Sequence, residues 1–220
     1  MKRRPESEEE LQKREAIGVI RASRFVRKYA RSHKLITFLT IQAIHTEIFE
    51  DAWPEIAGTY RDENLKITDS KHLPPSYSTV PALMKQKEAE FIDKLKTLEQ
   101  AEGVINQIPF VNNEVMERID NVIAIAAWIH YIITFIHPFR DGNGRTARLA
   151  ANLILERYGL VGISIKIEKE NKNRYRQSLT QIDEMQDYEP LQTLIYEGLI
   201  DRYNGVQVKY YPSKRKKSSN

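Results

Sequence analysis

Between a long apolar run and a stretch rich in helix formers, the chain carries His137-Pro138-Phe139-Arg140-Asp141-Gly142-Asn143-Gly144-Arg145-Thr146-Ala147-Arg148. These residues constrain the fold more than any others. Gly142 and Gly144 have no Cβ, so the backbone there can turn tightly and approach a ligand closely. Successive N–H groups in such a turn form a concave nest for an anion. A helix starting at this point adds unpaired amides and the positive end of its dipole. Arg145 and Arg148, three residues apart, share one face of that helix, and their side chains lean back toward its N-terminus. Asp141 offers a hard oxygen ligand suited to a magnesium ion shared with a polyphosphate. His137 has an ordinary pKa suited to general-base work near neutrality. A plain glycine turn capping a helix would explain Gly142 and Gly144, but it leaves His137, Asp141, Asn143 and both arginines without a reason. The stretch reads as a nucleotide site with its own base.

The apolar run before it, residues 122–136, is interrupted by His130 and is shorter than a bilayer span. A helix apolar nearly all round is more simply the buried helix of a soluble core, expected over 114–136. The 220 residues suit a single domain, and 41% hydrophobic with 29% charged residues is ordinary for a globular chain. Cysteine is absent, which removes disulfides and thiolate metal sites and fits a reducing, cytoplasmic compartment. The formal charge of +4 equals the contribution of Lys214, Arg215, Lys216 and Lys217, so the remainder sums to about zero. That argues against a broad nucleic-acid surface. The charged first fifteen residues carry no apolar segment of the secretory kind.

The motif His-Pro-Phe-x-Asp/Glu-Gly-Asn-Gly/Lys-Arg-x-x-Arg resembles that of the Fic (filamentation induced by cAMP) family, mostly protein adenylyltransferases, and residues 137–148 match it at every fixed position. The resemblance extends to Ala57-Gly58-Thr59-Tyr60-Arg61, Pro74-Pro75 and Met84, similar to the segment that forms the family's flap, and to Asn173-Arg174-Tyr175 and Asp187-Tyr188. It implies a mainly α fold, a helical core with one β-hairpin. The domain is expected over 35–205, after a charged extension at 1–34 and before a basic tail at 206–220. Helices are expected at 11–31, 35–49, 82–102, 114–136, 145–158 (ended by Gly159), 170–185 and 188–203. The basic residues of the first, among them Arg21, read as a solvated face, and residues 2–10 as a frayed end. His45 reads as a packed or surface histidine. Leu65–Thr68 and Tyr77-Ser78-Thr79-Val80 alternate like two short strands, predicting a β-hairpin; the resemblance implies that it is the flap, over about 58–82, whose edge pairs with a substrate protein.

The resemblance implies transfer of AMP from ATP to a Ser, Thr or Tyr hydroxyl of a target protein, with release of pyrophosphate. His137 would be the base, and Asp141 the magnesium ligand. Gly142, Gly144 and Asn143, its side chain included, would hold the α-phosphate. Arg145 and Arg148 would hold the β- and γ-phosphates, and Tyr175 would line the adenine pocket. Phe139 would point into the core. Donors such as UMP or phosphocholine, γ-phosphate transfer, or a non-catalytic nucleotide-gated module are the alternatives. The γ-phosphate branch carries Lys where this chain has Gly144, and binding alone needs no base. Many relatives restrain themselves with Ser/Thr-x-x-x-Glu-Gly/Asn, whose glutamate pairs with the second motif arginine, here Arg148. Thr193-Leu194-Ile195-Tyr196-Glu197-Gly198 fits that string. Yet Leu191, Leu194, Ile195 and Leu199 define the buried face of this helix, which turns Glu197 toward solvent. Restraint is therefore expected from a separate small, antitoxin-like protein.

Overall fold

In the computed structural model, the structure describes residues 3–32, 34–68, 70, 72–99, 113–164 and 169–204. The connection expected near Pro109, most of the link at 163–167 and the basic tail lie outside them. Seven α-helices are described: α1 (Glu8–Ala30), α2 (Phe38–Phe49), α3 (Val80–Glu99), α4 (Asn113–Ile136), α5 (Asn143–Arg157), α6 (Lys169–Met185) and α7 (Glu189–Tyr203). They fall into two units, residues 1–160 and 161–220.

In the first unit α4 is the central element. It packs against α5 and α3, while α1 packs on α2 and α5. Its apolar positions point all ways because it is covered on most sides: Ile123, Ala126, Ala127, Ile129, His130 and Ile133 are fully inaccessible. At 24 residues the helix is long and apolar enough to cross a membrane by composition, but 67% of its most apolar window is buried inside the fold.

α1 begins earlier than its charge pattern suggests. Residues 8–10 are not frayed, because the Ser7 hydroxyl accepts the Glu10 N–H at 3.4 Å and Glu8, Glu9 and Glu10 sit at the positive end of the helix dipole. The buried face includes the small residues Gly18, Ala22 and Ala30, and α1 lies so close to α2 at Gly18 that a Cβ there would meet the Ile48 carbonyl. Ile17 and Ile20 are exposed. Arg21 is not simply solvated: it pairs with Glu47, Glu50 and Asp51 across the α1–α2 contact.

The hairpin is corrected. Among the described residues no strand forms. Residues 61–68 run without regular structure, Tyr77–Thr79 make a 3₁₀ turn, and Val80 opens α3. The alternation of Tyr77 to Val80 is overridden by local bonding. The Thr79 hydroxyl and amide both bond the Ser76 carbonyl, and the Tyr77 amide donates to Asn64 Oδ1. Pro81 then falls in the first turn of α3, where its missing N–H is needed by no partner.

In the second unit α6 packs on α7. Leu191, Leu194, Ile195 and Leu199 are the buried face of α7, as the periodicity requires.

Candidate active site

α4 ends by delivering His137 in a left-handed conformation, φ 52°. This region costs a non-glycine residue of order 1–3 kcal/mol and persists only where the surroundings enforce it. Its amide still closes the helix on Ile133 O at 3.0 Å. Its ring Nδ1 lies 3.2 Å from Thr134 O. A carbonyl can only accept, so Nδ1 carries the proton and Nε2 carries the lone pair. Burial, followed by the nearby Arg61 and His72, lowers the pKa of the ring, against the Thr134 hydrogen bond and Asp141, which raise it. The ring is thereby held neutral, with Nε2 as the basic atom.

The loop then turns over a buried plug. Phe139 is fully inaccessible and stacks on His45 with centroids 3.9 Å apart. Asn143, 2% exposed, closes the loop on the Phe139 backbone: its Oδ1 accepts the Phe139 N–H at 2.9 Å and its Nδ2 donates to Phe139 O at 2.7 Å. Gly142 sits at φ 75°, and a Cβ there would lie 2.2 Å from the Phe49 ring, so both conformation and space require glycine. The first bond of α5 runs from Thr146 N to Gly142 O at 2.9 Å. The amides of Asn143, Gly144 and Arg145 precede it and so have no acceptor within the helix. Arg148 folds back along this turn, since a Cβ on Gly144 would come within 3.4 Å of its Nη1. Asp141 is exposed beside the same turn, and its carboxylate takes the Gly142 amide and Arg145 Nη2.

A base at the lip of an amide nest flanked by two cations is an arrangement that can be compared directly with known proteins. The sequence model of the Fic/DOC family matches residues 35–155. The chain belongs to that family. It is 31% identical over 172 residues to the protein adenylyltransferase Fic of Nematostella vectensis, covering 78% of this chain and 34% of that one. It is 28% identical over 197 residues to protein adenylyltransferase fic-1 of Caenorhabditis elegans, covering 87% and 34%. The solved structure of residues 134–508 of C. elegans Fic-1 superposes with a TM-score of 0.61, at 28% identity, over 89% of this chain and 52% of that one. The chain thus spans about a third of the length of the curated relatives it matches.

Against the expected Fic site, the structure brings His137, Asp141, Gly142, Asn143, Gly144, Arg145 and Arg148 together in one loop and helix start. Asn143 is corrected in role: its amide side chain is committed to the Phe139 backbone, so it braces the loop, and only its main-chain N–H belongs to the nest. Tyr175 lies in the second unit, buried on α6 at 9% exposure. Tyr77, Ser78 and Thr79 are exposed and Val80 is buried, on a turn and helix start instead of a strand. Glu197 is exposed, as its place on the helical wheel implies, and its carboxylate is held by Arg174 at 2.7 and 3.0 Å.

Three residues were not assigned to the site by the sequence. His45, inaccessible on α2, accepts the Gly58 N–H at Nδ1 (3.0 Å) and therefore donates from Nε2 to Asp141 O (3.0 Å). Burial holds its pKa down to about 4, so the ring stays neutral and splints the loop to residue 58. Arg61, 4% exposed, donates from Nε to His137 O at 2.8 Å. Glu15 of α1 reaches Arg145 Nη1 at 2.5 Å. A faint signal existed for two of them. His45 shares the helical face of Ile41 and Ile48, and Glu15 that of Leu11 and Gly18; a polar group on a buried face needs a partner.

Proposed function

We propose that this Fic domain transfers AMP from ATP to a Ser, Thr or Tyr hydroxyl of a target protein, releasing pyrophosphate. The observation that carries the reading is the fixed tautomer of His137, which presents a basic Nε2 beside the amide nest of α5. Nε2 takes the hydroxyl proton as that oxygen attacks the α-phosphorus and the bond to the β-phosphate oxygen breaks. The amides of Asn143 and Gly144 receive the negative charge that builds on the α-phosphate oxygens, the Gly142 amide being taken by the Asp141 carboxylate. Arg145 and Arg148 bind the β- and γ-phosphates and stabilise departing pyrophosphate.

The exposed carboxylate of Asp141 fits a magnesium ion held by one protein oxygen and substrate phosphates. Among the described residues no cluster of three or more His, Cys, Asp or Glu offers a protein cage. When bound there, the ion would neutralise charge between the phosphates.

The target docks next to His137 along the described residues of 62–76, by main-chain pairing with its own extended chain. The described residues 62–68 and 72–76 form neither helix nor strand, which supports this over a preformed hairpin. The cytoplasm is the assigned site of action, with restraint supplied by a small separate protein that offers a carboxylate to Arg148.

The test is transfer from ATP labelled at the α- or the γ-phosphate, with magnesium and lysate proteins as acceptors. Label should move only from the α-position, and His137→Ala should abolish transfer while leaving ATP affinity by calorimetry largely unchanged. Transfer from the γ-position, or a His137→Ala variant of near-normal rate, refutes the mechanism.

A further inference from the structure

Arg61 is a buried cation whose hydrogen bonds go to backbone carbonyls. Nε donates to His137 O at 2.8 Å, Nη1 to Glu63 O at 2.8 Å, and Nη2 to Pro75 O at 2.5 Å and Ile136 O at 3.5 Å. Its own amide donates to Pro138 O at 2.8 Å. A guanidinium has five donors in a rigid planar fork, so it can reach several fixed acceptors at once. Here those acceptors belong to two different pieces of chain. One is the end of α4, at 136–138, where His137 is held left-handed. The other is the segment between residues 63 and 75. His72 adds a second tie, its Nε2 donating to Phe135 O at 2.8 Å.

We propose that Arg61 is a positioning residue, which fixes the backbone of the base His137 and fastens the segment 62–76 to it, so that base and docked target keep one register. The proposal rests on the adenylyl-transfer reading. It adds that the geometry of the base is set from outside the 137–148 loop. A left-handed residue without glycine's freedom relaxes when its restraints are removed. Relaxation of His137 moves Nε2 away from the attacking hydroxyl, while the amide nest of α5, braced separately by Asn143 and His45, keeps its place.

Arg61→Lys and Arg61→Gln in the full chain test this. Lysine keeps the charge but has one nitrogen, so it cannot span His137 O, Glu63 O and Pro75 O together. In Arg61→Lys, transfer of α-labelled AMP should fall by about a hundredfold, as for a misplaced catalytic group. ATP affinity by calorimetry should stay unchanged within about threefold, because the nest is intact. The His137 ring signals in nitrogen-resolved NMR should lose the single Nδ1–H tautomer. A wild-type transfer rate with unchanged ring signals overturns the proposal, and so does a loss of rate matched by an equal loss of ATP affinity. If the wild-type chain transfers no AMP, the adenylyl-transfer reading falls, and the ring signals alone decide Arg61; unchanged signals in the variant overturn it. A measurement on the unmodified chain guards against variants that fail to fold. The Arg61 Nε–H should exchange with solvent far more slowly than that of an exposed arginine, and exchange at the free rate overturns the clasp.

Discussion

His45→Phe isolates the splint between α2, residue 58 and the loop. Phenylalanine keeps an aromatic ring against Phe139 but has no polar atom, so the Gly58 N–H and the Asp141 carbonyl lose their partners together. Stranding a buried donor or acceptor costs about 1–3 kcal/mol each, which gives a loss of about 2–6 kcal/mol at pH 7. The pH dependence makes the prediction sharper. In the folded chain His45 has a pKa of about 4, against 6.5 when unfolded. The unfolded chain therefore binds a proton that the folded chain refuses as pH falls from 6.5 toward 4, and wild-type stability is lost across that window. The full difference corresponds to about 3 kcal/mol, of which about 2 kcal/mol is already lost at pH 5. The phenylalanine variant has no such group, so its deficit relative to wild type should narrow on acidification. His130, which burial pushes down to about 3, titrates in both proteins and cancels from the difference. Urea unfolding of both proteins at pH 7, 6 and 5 measures the gap. A gap that stays constant over this range would mean that His45 is not held neutral by burial, and would refute the account.

Two further perturbations address the helix that precedes the family domain. In Gly18→Ala the new Cβ would lie 1.9 Å from Ile48 O and 2.7 Å from its carbonyl carbon, so α1 and α2 must separate. A cost of about 1–3 kcal/mol and a lower Tm are expected by calorimetry, and an unchanged Tm would show that the helices part freely. Glu15→Gln removes the carboxylate that competes with a polyphosphate for Arg145, so ATP should bind about fivefold tighter by titration calorimetry, equivalent to on the order of 1 kcal/mol. Weaker binding would show instead that Glu15 orients Arg145 for its ligand.

The sequence by itself determined the elements whose causes are local. The apolar run ending at Ile136 had to be a buried helix, and Gly142 with Gly144 had to make a tight turn before a helix. The stop at Gly159 and the buried face of α7, Leu191, Leu194, Ile195 and Leu199, were legible from turn chemistry and a 3.6-residue period. That period also placed Glu197 on the exposed side, where Arg174 now holds it. Only the tertiary structure decided which groups hold the loop in shape. The alternation of Tyr77 to Val80 reads as a strand. A strand needs a neighbour, however, and here the Ser76 carbonyl and Asn64 side chain supply the bonds that a ladder would have supplied. Asn143 has the chemistry to bind phosphate, but the buried Phe139 amide and carbonyl, which cannot go unpaired, claim its side chain. His45, Arg61 and Glu15 lie 96, 76 and 130 residues from the groups they bond within residues 137–148. No spacing rule connects such distant positions. They meet because burial leaves each polar group few partners, and the packing of α1, α2 and α4 around α5 determines which partner is within reach.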